Sequence, residues 1–290
     1  MLKNRINYWK HKAWRYLFSA RIKRLSDKIC VAFTFDTEED WENTNPAFYY
    51  DSYNYITSGA FYLLVNGLAE RGISATFYVT YNVAKDMPEA LKYLKKNNQR
   101  IGMHLHPHNL KKVEYPYNPG KDSDKITFYN LIEKLNWMKF VKDQIEFVVS
   151  NKVLLYRSGN LACDNETIKA AKLTGFKAVS NHRGIYYIKL FGIWNLGAGM
   201  EDLFDFKIFN ELSKYVMRFK ERAKGEQIIV FSAHPMLLYN HATNEIREKE
   251  LNTFFEFIDY LNSNENVEII DQYQLLRMVE DRGGVNEEKG

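Results

Sequence analysis

Three histidines fall within five residues in the run Ile101-Gly102-Met103-His104-Leu105-His106-Pro107-His108, and such crowding suits a metal site. His104 and His108 stand four positions apart, and on a helical turn that spacing places two imidazoles on one face, where both reach one ion. On an extended strand His104, His106 and His108 would instead share a face, and Pro107 disfavours continuing either form. Spacing alone does not choose between them; the i, i+4 pair His104 and His108 is the expectation.

A second group supplies carboxylates. Asp36-Thr37-Glu38-Glu39-Asp40 follows the apolar run Ile29-Cys30-Val31-Ala32-Phe33 almost at once. One acid of this burst could complete a His-His-carboxylate set with open positions, leaving another as general base. Two isolated residues extend the set. His234, in Ser232-Ala233-His234-Pro235, is a candidate ligand or general acid. Arg157, in Tyr156-Arg157-Ser158-Gly159-Asn160, can orient a carboxylate and hold it ionised. Together these types describe hydrolysis at a divalent-metal centre.

Elements that could position them recur along the chain. Short runs rich in Val, Ile, Phe and Tyr predict strands at 29–35, 75–80, 100–104, 153–156, 176–180, 227–231 and 267–270. Amphipathic stretches predict helices near 56–71, 87–97, 125–147, 164–174, 205–223 and 244–262. Asp164 is an N-cap signal, and Gly72 and Gly175 are stop signals. Residues 181–203, broken by Gly184, Gly192, Gly197 and Gly199, predict loops with short strands. Alternating strands and helices point to a parallel α/β barrel, distorted or incomplete, of about seven strands. Asp36 and Arg157 would directly follow their strands, His104 would end one, and His234 would come just after another. All four would meet at the rim where strands end, the usual place for an active site in such barrels.

With 290 residues the chain suits one large catalytic unit, expected over 29–290. The two cysteines, Cys30 and Cys163, lie too far apart in sequence for a disulfide framework or a Cys-rich zinc motif, and Cys30 reads as a buried thiol. The net charge of +4 is uneven: residues 1–28 carry nine Lys and Arg against Asp27, leaving 31 basic against 35 acidic residues beyond. That acidic body argues against a nucleic-acid partner. Ile6, Trp9, Ala13, Tyr16, Leu17 and Ala20 recur at helical spacing among the basic residues, so 1–28 predicts a basic amphipathic helix. It could pack on the domain, or touch an anionic membrane surface through residues 1–24. No apolar run is long enough for a transmembrane helix or a secretory signal, so the expected location is cytoplasmic, in solution or peripheral on the membrane.

Four stretches in this order resemble the polysaccharide deacetylases of carbohydrate esterase family 4: Thr34-Phe35-Asp36-Thr37-Glu38, the histidine run, Tyr156-Arg157-Ser158-Gly159 and Phe231-Ser232-Ala233-His234-Pro235. The resemblance covers about residues 29 to 275. It implies a distorted (β/α) barrel that removes acetyl groups from N-acetylated sugars with one divalent metal, expected to be Zn2+. It further implies Asp36 as base, Glu38, His104 and His108 as ligands, Arg157 bracing the base, and His234 as general acid. The family's first motif usually has two adjacent Asp residues, and Thr37 takes the second place here, which shifts the metal-binding acid to Glu38. Glu39 and Asp40 stay competitors for that place. The third motif lacks its usual Pro, and no clear fourth motif is present. The implied substrate is a polysaccharide, glycan or glycolipid carrying an N-acetyl amino sugar. A non-sugar amide substrate, or a carbohydrate-binding relative without catalysis, would fit the same fold.

Overall fold

A computed structural model describes residues 28–42, 48–49, 52–112, 124–183, 188–198, 216 and 228–281. The expected amphipathic segment 1–28 lies outside these residues except for Lys28, and the expected helix 205–223 lies outside them except for Val216.

The centre is one sheet of nine strands. They are β1 (Ile29–Thr37), β2 (Thr76–Val79), β3 (Arg100–Leu105), β4 (Leu155–Ser158), β5 (Ala178–Arg183), β6 (Ile188–Leu190), β7 (Ile193–Ala198), β8 (Ile228–Ala233) and β9 (Val267–Ile270). Their order is β8-β1-β2-β3-β4-β5-β7-β6, and β9 also pairs with β1. Every pair is parallel except β6 with β7. β1 divides its edge: Ile29 to Ala32 pair with β9, and Thr34 to Thr37 pair with β2. β8 and β7 come into contact without forming a ladder. The sheet therefore curls into a distorted barrel left incomplete, as expected. Each of the seven predicted strands has its counterpart. The segment read as loops with short strands supplies β6 and β7, so the parallel set is one strand larger than counted from the sequence.

Period-two alternation assigns the faces of β1. Ile29, Val31, Phe33 and Phe35 join the core that packs on the helices. Cys30 and Ala32 point inward with Leu155, Ala178, Trp194, Leu196, Ile228 and Val230. The outward aromatics clamp the strand. Phe33 stacks on Phe231 at 5.6 Å and meets Phe254 edge-on at 5.4 Å, while Phe35 lies 4.8 Å from Phe77. Such pairs contribute about 0.5–1.5 kcal/mol each beyond their burial. A strand held this firmly on one face gives fixed positions to Thr34, Asp36 and Glu38 on the other.

The helices are α1 (Ala60–Glu70), α2 (Pro88–Lys96), α3 (Leu131–Val149), α4 (Asn165–Leu173), α5 (Glu248–Asn262) and α6 (Gln272–Asp281), with two shorter ones, Asn54–Thr57 and Tyr81–Asp86. The stretch 56–71 is divided at Gly59, whose φ of +97° interrupts the helix. The helix expected from 125 begins six residues later. Asn130 caps it by accepting from the backbone N–H groups of Ile132 and Glu133, and Glu133 closes the capping box. Asp164 caps α4 by accepting from Thr167 N–H at 2.7 Å. α6 was not expected; Leu275, Leu276 and Val279 pack it against the inward face of the sheet. No helix among the described residues is long and apolar enough to cross a membrane.

Candidate active site

The strands run further than the apolar pattern suggested, so Asp36 and Arg157 lie within β1 and β4 instead of following them. Ladder pairing keeps these polar tips extended: Asp36 is in register with Tyr78 and His104 with Arg157. Alternation then turns Thr34 and Asp36, His104, Arg157 and Ser180 toward a common interior.

Arg157 is fully buried and fully committed. Nη1 donates to Asp36 Oδ1 at 2.6 Å, Nη2 donates to Thr34 Oγ1 at 3.0 Å and Ser180 Oγ at 2.9 Å, and Nε donates to the Ser180 carbonyl at 3.2 Å. Its guanidinium lies over the Tyr78 ring at 4.1 Å. Gly102 makes room for that ring, because a Cβ there would sit 2.7 Å from it. Tyr78 in turn donates to Gln272, which donates to Ser180 Oγ at 3.1 Å, tying the start of α6 into the same network. Burial pushes the Asp36 carboxyl up, but Arg157, with His104 and His234, outweighs it and holds the pKa below the ordinary value. A buried carboxylate kept ionised and aimed is the arrangement a general base needs.

Beside it, Glu38, His104 and His106 offer three ligand atoms within 4.8 Å of one another, all buried. His106 Nε2 lies 3.0 Å from His104 Nε2 and 3.1 Å from Glu38 Oε2, and His104 Nε2 lies 3.7 Å from that oxygen. Donors about 2.1 Å from one tetrahedral ion stand roughly 3.4 Å apart, so these separations fit a divalent cation. The donors differ in protonation. Burial lowers the His104 pKa to about 4, leaving a neutral ring with a free lone pair. Burial also lowers the His106 pKa, but Glu38 and Asp124 outweigh it and hold it well above the ordinary value, so a bound ion would have to displace the proton on Nε2. Burial pushes the Glu38 carboxyl up, and His106, His234 and His104 outweigh it.

The structure gathers His106, which the i, i+4 expectation passed over, with Glu38 and His104. β3 remains extended through Leu105, so His104 and His106 share a face. The turn begins only at Pro107, and His108 sits in the 3-10 segment Pro107–Lys112. His104 therefore lies in the ladder to β4 and not on the helical turn that the i, i+4 spacing suggested. The three competing acids of the burst, Glu38, Glu39 and Asp40, face different partners. Glu39 accepts from Thr80 Oγ1 at 3.0 Å and from Asn82, and burial keeps its pKa raised. Asp40 accepts from Ser52 Oγ at 2.9 Å and the Asn54 N–H. Neither is in the group with His104 and His106, and Asp40 instead faces His241, whose Nε2 lies 3.8 Å from its Oδ1.

His234, just past β8, places Nε2 3.4 Å from Glu38 Oε1. One carboxylate thus faces His104 and His106 with one oxygen and His234 with the other. Three residues that the sequence did not single out complete the surroundings. Asp124 accepts from Asn160 Nδ2 at 2.6 Å and meets His106 Nδ1 at 2.8 Å, and Gly159 packs under the His106 ring.

The sequence model of the polysaccharide deacetylase family matches residues 23–179. No curated protein matches the chain. Among solved structures, a protein from Mycobacterium smegmatis described as a polysaccharide deacetylase is similar at TM-score 0.67 and 17% identity, over 93% of this chain and 97% of that one. A protein from Pseudomonas aeruginosa PAO1 with the same description is similar at TM-score 0.63 and 12% identity, over 90% and 94%. A carbohydrate esterase family 4 pseudoenzyme from Bacillus anthracis is similar at TM-score 0.52 and 16% identity, over 86% and 66%. At these identities the likeness is one of fold.

Proposed function

This chain belongs to the polysaccharide deacetylase family, and from that premise we propose that it is a metal-dependent hydrolase removing the N-acetyl group from an amino sugar of a polysaccharide, glycan or glycolipid. A single observation carries the proposal: a buried, Arg-braced carboxylate stands beside a Glu-His-His cluster, with a further histidine across that same Glu. A fold that also serves a pseudoenzyme does not establish activity by itself, so the reading depends on the chemistry of these side chains.

Glu38, His104 and His106 would hold the ion, with His106 taking the place that the spacing gave to His108. Zn2+ suits two imidazoles and a carboxylate. When bound, such an ion polarises an acyl oxygen and lowers the pKa of a water. Asp36 takes the proton from the attacking water, and Arg157 keeps Asp36 ionised and directed at it. The water oxygen bonds to the amide carbon and the C–N bond breaks. His234 gives a proton to the departing nitrogen, so that acetate and a free amine result. The basic segment 1–24 fits contact with an anionic membrane, which would bring the site to a lipid-linked glycan; vesicle binding that persists at high salt or after deletion of the segment would oppose that role.

The direct test of substrate class compares acetate release from N-acetylated oligosaccharides with ring opening of small cyclic amides, using protein loaded with Zn2+. Acetate from the sugars alone supports the proposal. Turnover of the cyclic amides alone assigns the same site to a different amide class.

A further inference from the structure

His106 is gripped on the side away from the ligand cluster. Its Nε2 faces Glu38 and His104, and its Nδ1 meets Asp124 Oδ2 at 2.8 Å. That same oxygen accepts from Asn160 Nδ2 at 2.6 Å. Asn160 adopts a left-handed backbone, φ 54°, immediately after Gly159. A Cβ on Gly159 would stand 2.4 Å from the His106 ring, so the ring packs directly on the backbone at the tip of β4. Asp124 and Gly159 thus hold one imidazole, Asn160 holds Asp124, and neither Asp124 nor Asn160 takes part in the proposed chemistry.

A neutral imidazole carries its proton on one nitrogen or the other, and only the bare nitrogen can bind a metal. A carboxylate at Nδ1 selects the tautomer with the proton on Nδ1 and the lone pair on Nε2. His104 has no equivalent: its Nδ1 is buried with no hydrogen-bond partner among the described residues. Control of the tautomer in this pair therefore falls on His106.

We propose that Asp124, held by Asn160, is a positioning residue that sets the tautomer and direction of His106 and thereby the affinity of the site for its metal. The inference rests on the reading that Glu38, His104 and His106 hold a divalent ion. It deepens that reading by adding a carboxylate-histidine pair from a different segment of the chain.

The test is Zn2+ affinity by competition with a chromophoric chelator, on the full chain and on Asp124→Ala, Asp124→Asn, Asn160→Ala and His108→Ala. Loss of such a supporting partner weakens metal binding about 10–100-fold, which is the effect expected for Asp124→Ala. Asp124→Asn should recover part of it, since an amide oxygen still accepts from Nδ1–H, and Asn160→Ala should show a smaller loss. His108→Ala should leave affinity unchanged. Saturating Zn2+ should restore most of the turnover of Asp124→Ala. A turnover deficit that survives saturation would place Asp124 on the substrate and overturn the inference. Wild-type affinity in Asp124→Ala and Asn160→Ala would also overturn it. If Asp124→Ala does not fold, Asp124→Asn and Asn160→Ala decide by the same measure. A wild-type protein that binds no Zn2+ would overturn the metal reading itself and the inference with it.

Discussion

Arg157 reaches Asp36 across the barrel interior, joining β4 to β1 at 2.6 Å although β2 and β3 separate those strands in the sheet. The contact has a structural and a chemical consequence. It ties non-neighbouring strands together, and it keeps the proposed base ionised where burial alone would neutralise it.

Replacing either partner should therefore separate two effects. Arg157→Ala leaves a buried carboxylate without its cation, and breaking such a pair costs about 3–5 kcal/mol, readable as a lowered midpoint in urea. Asp36→Asn removes the base and should lower kcat about 10²–10⁴-fold while Zn2+ still binds. An unchanged kcat in Asp36→Asn would exclude Asp36 from proton transfer.

The ligand assignment makes the three histidines of the run unequal. His104→Ala and His106→Ala should each lose bound Zn2+ and activity, whereas His108→Ala should keep both. Elemental analysis after dialysis measures this directly. Loss of metal in His108→Ala with retention in His106→Ala would restore the i, i+4 pair.

Gly159→Ala should behave as a site variant even though it adds only a methyl group, because its Cβ would stand 2.4 Å from the His106 ring. Zn2+ affinity should fall as the ring is displaced. Gly59→Ala provides the contrast. Its Cβ would meet nothing within 4 Å, but φ is +97°, so the expected cost is about 1 kcal/mol of stability without loss of metal affinity. Equal metal binding in both variants would contradict the close packing under His106.

These contrasts show which parts of the site the sequence could reveal. Asp36, His104, Arg157 and His234 were legible because each sits at or next to the end of an apolar run, and parallel strands bring such ends together. Glu38 was legible in part. Thr34, Asp36 and Glu38 alternate along β1 and its extension, so the same period-two rule that buries Phe33 and Phe35 outward favours Glu38 over Glu39. His106 was weighed and passed over, because the i, i+4 rule presumes a helix and local spacing does not reveal that β3 stays paired through Leu105. Asp124 carried no local signal: its role depends on a contact with His106, 18 residues away in sequence. The capping box Asn130 to Glu133 and the Leu275, Leu276, Val279 spacing of α6 were present in the sequence, and a search for caps and short C-terminal helices would have found both.

Away from the site, Asp164 links α4 to α3. It caps α4 and accepts from Lys134 Nζ, itself fully buried, at 2.9 Å. Burial pushes its pKa up, but bonds from Thr167 and Lys134 outweigh that and leave the pKa below its ordinary value. The carboxylate therefore adds stability above its unfolded pKa of about 4, and the contribution fades as pH falls through the lower folded value. Asp164→Ala should cost at least the ~1 kcal/mol of an N-cap at pH 7. The gap between variant and wild type should narrow progressively below about pH 4. Urea titrations across that range would show it, and a gap that widens on acidification would reverse the assigned sign.

The most direct measurement is acetate release from an N-acetylated glucosamine oligosaccharide by one preparation in three states: as purified, stripped with a chelator, and reconstituted with one equivalent of Zn2+. The expected result is release by the purified protein, loss on stripping and recovery on reconstitution. Release that survives complete removal of metal, or no release from the Zn2+-loaded protein across a range of N-acetylated sugars, would contradict a metal-dependent N-deacetylase.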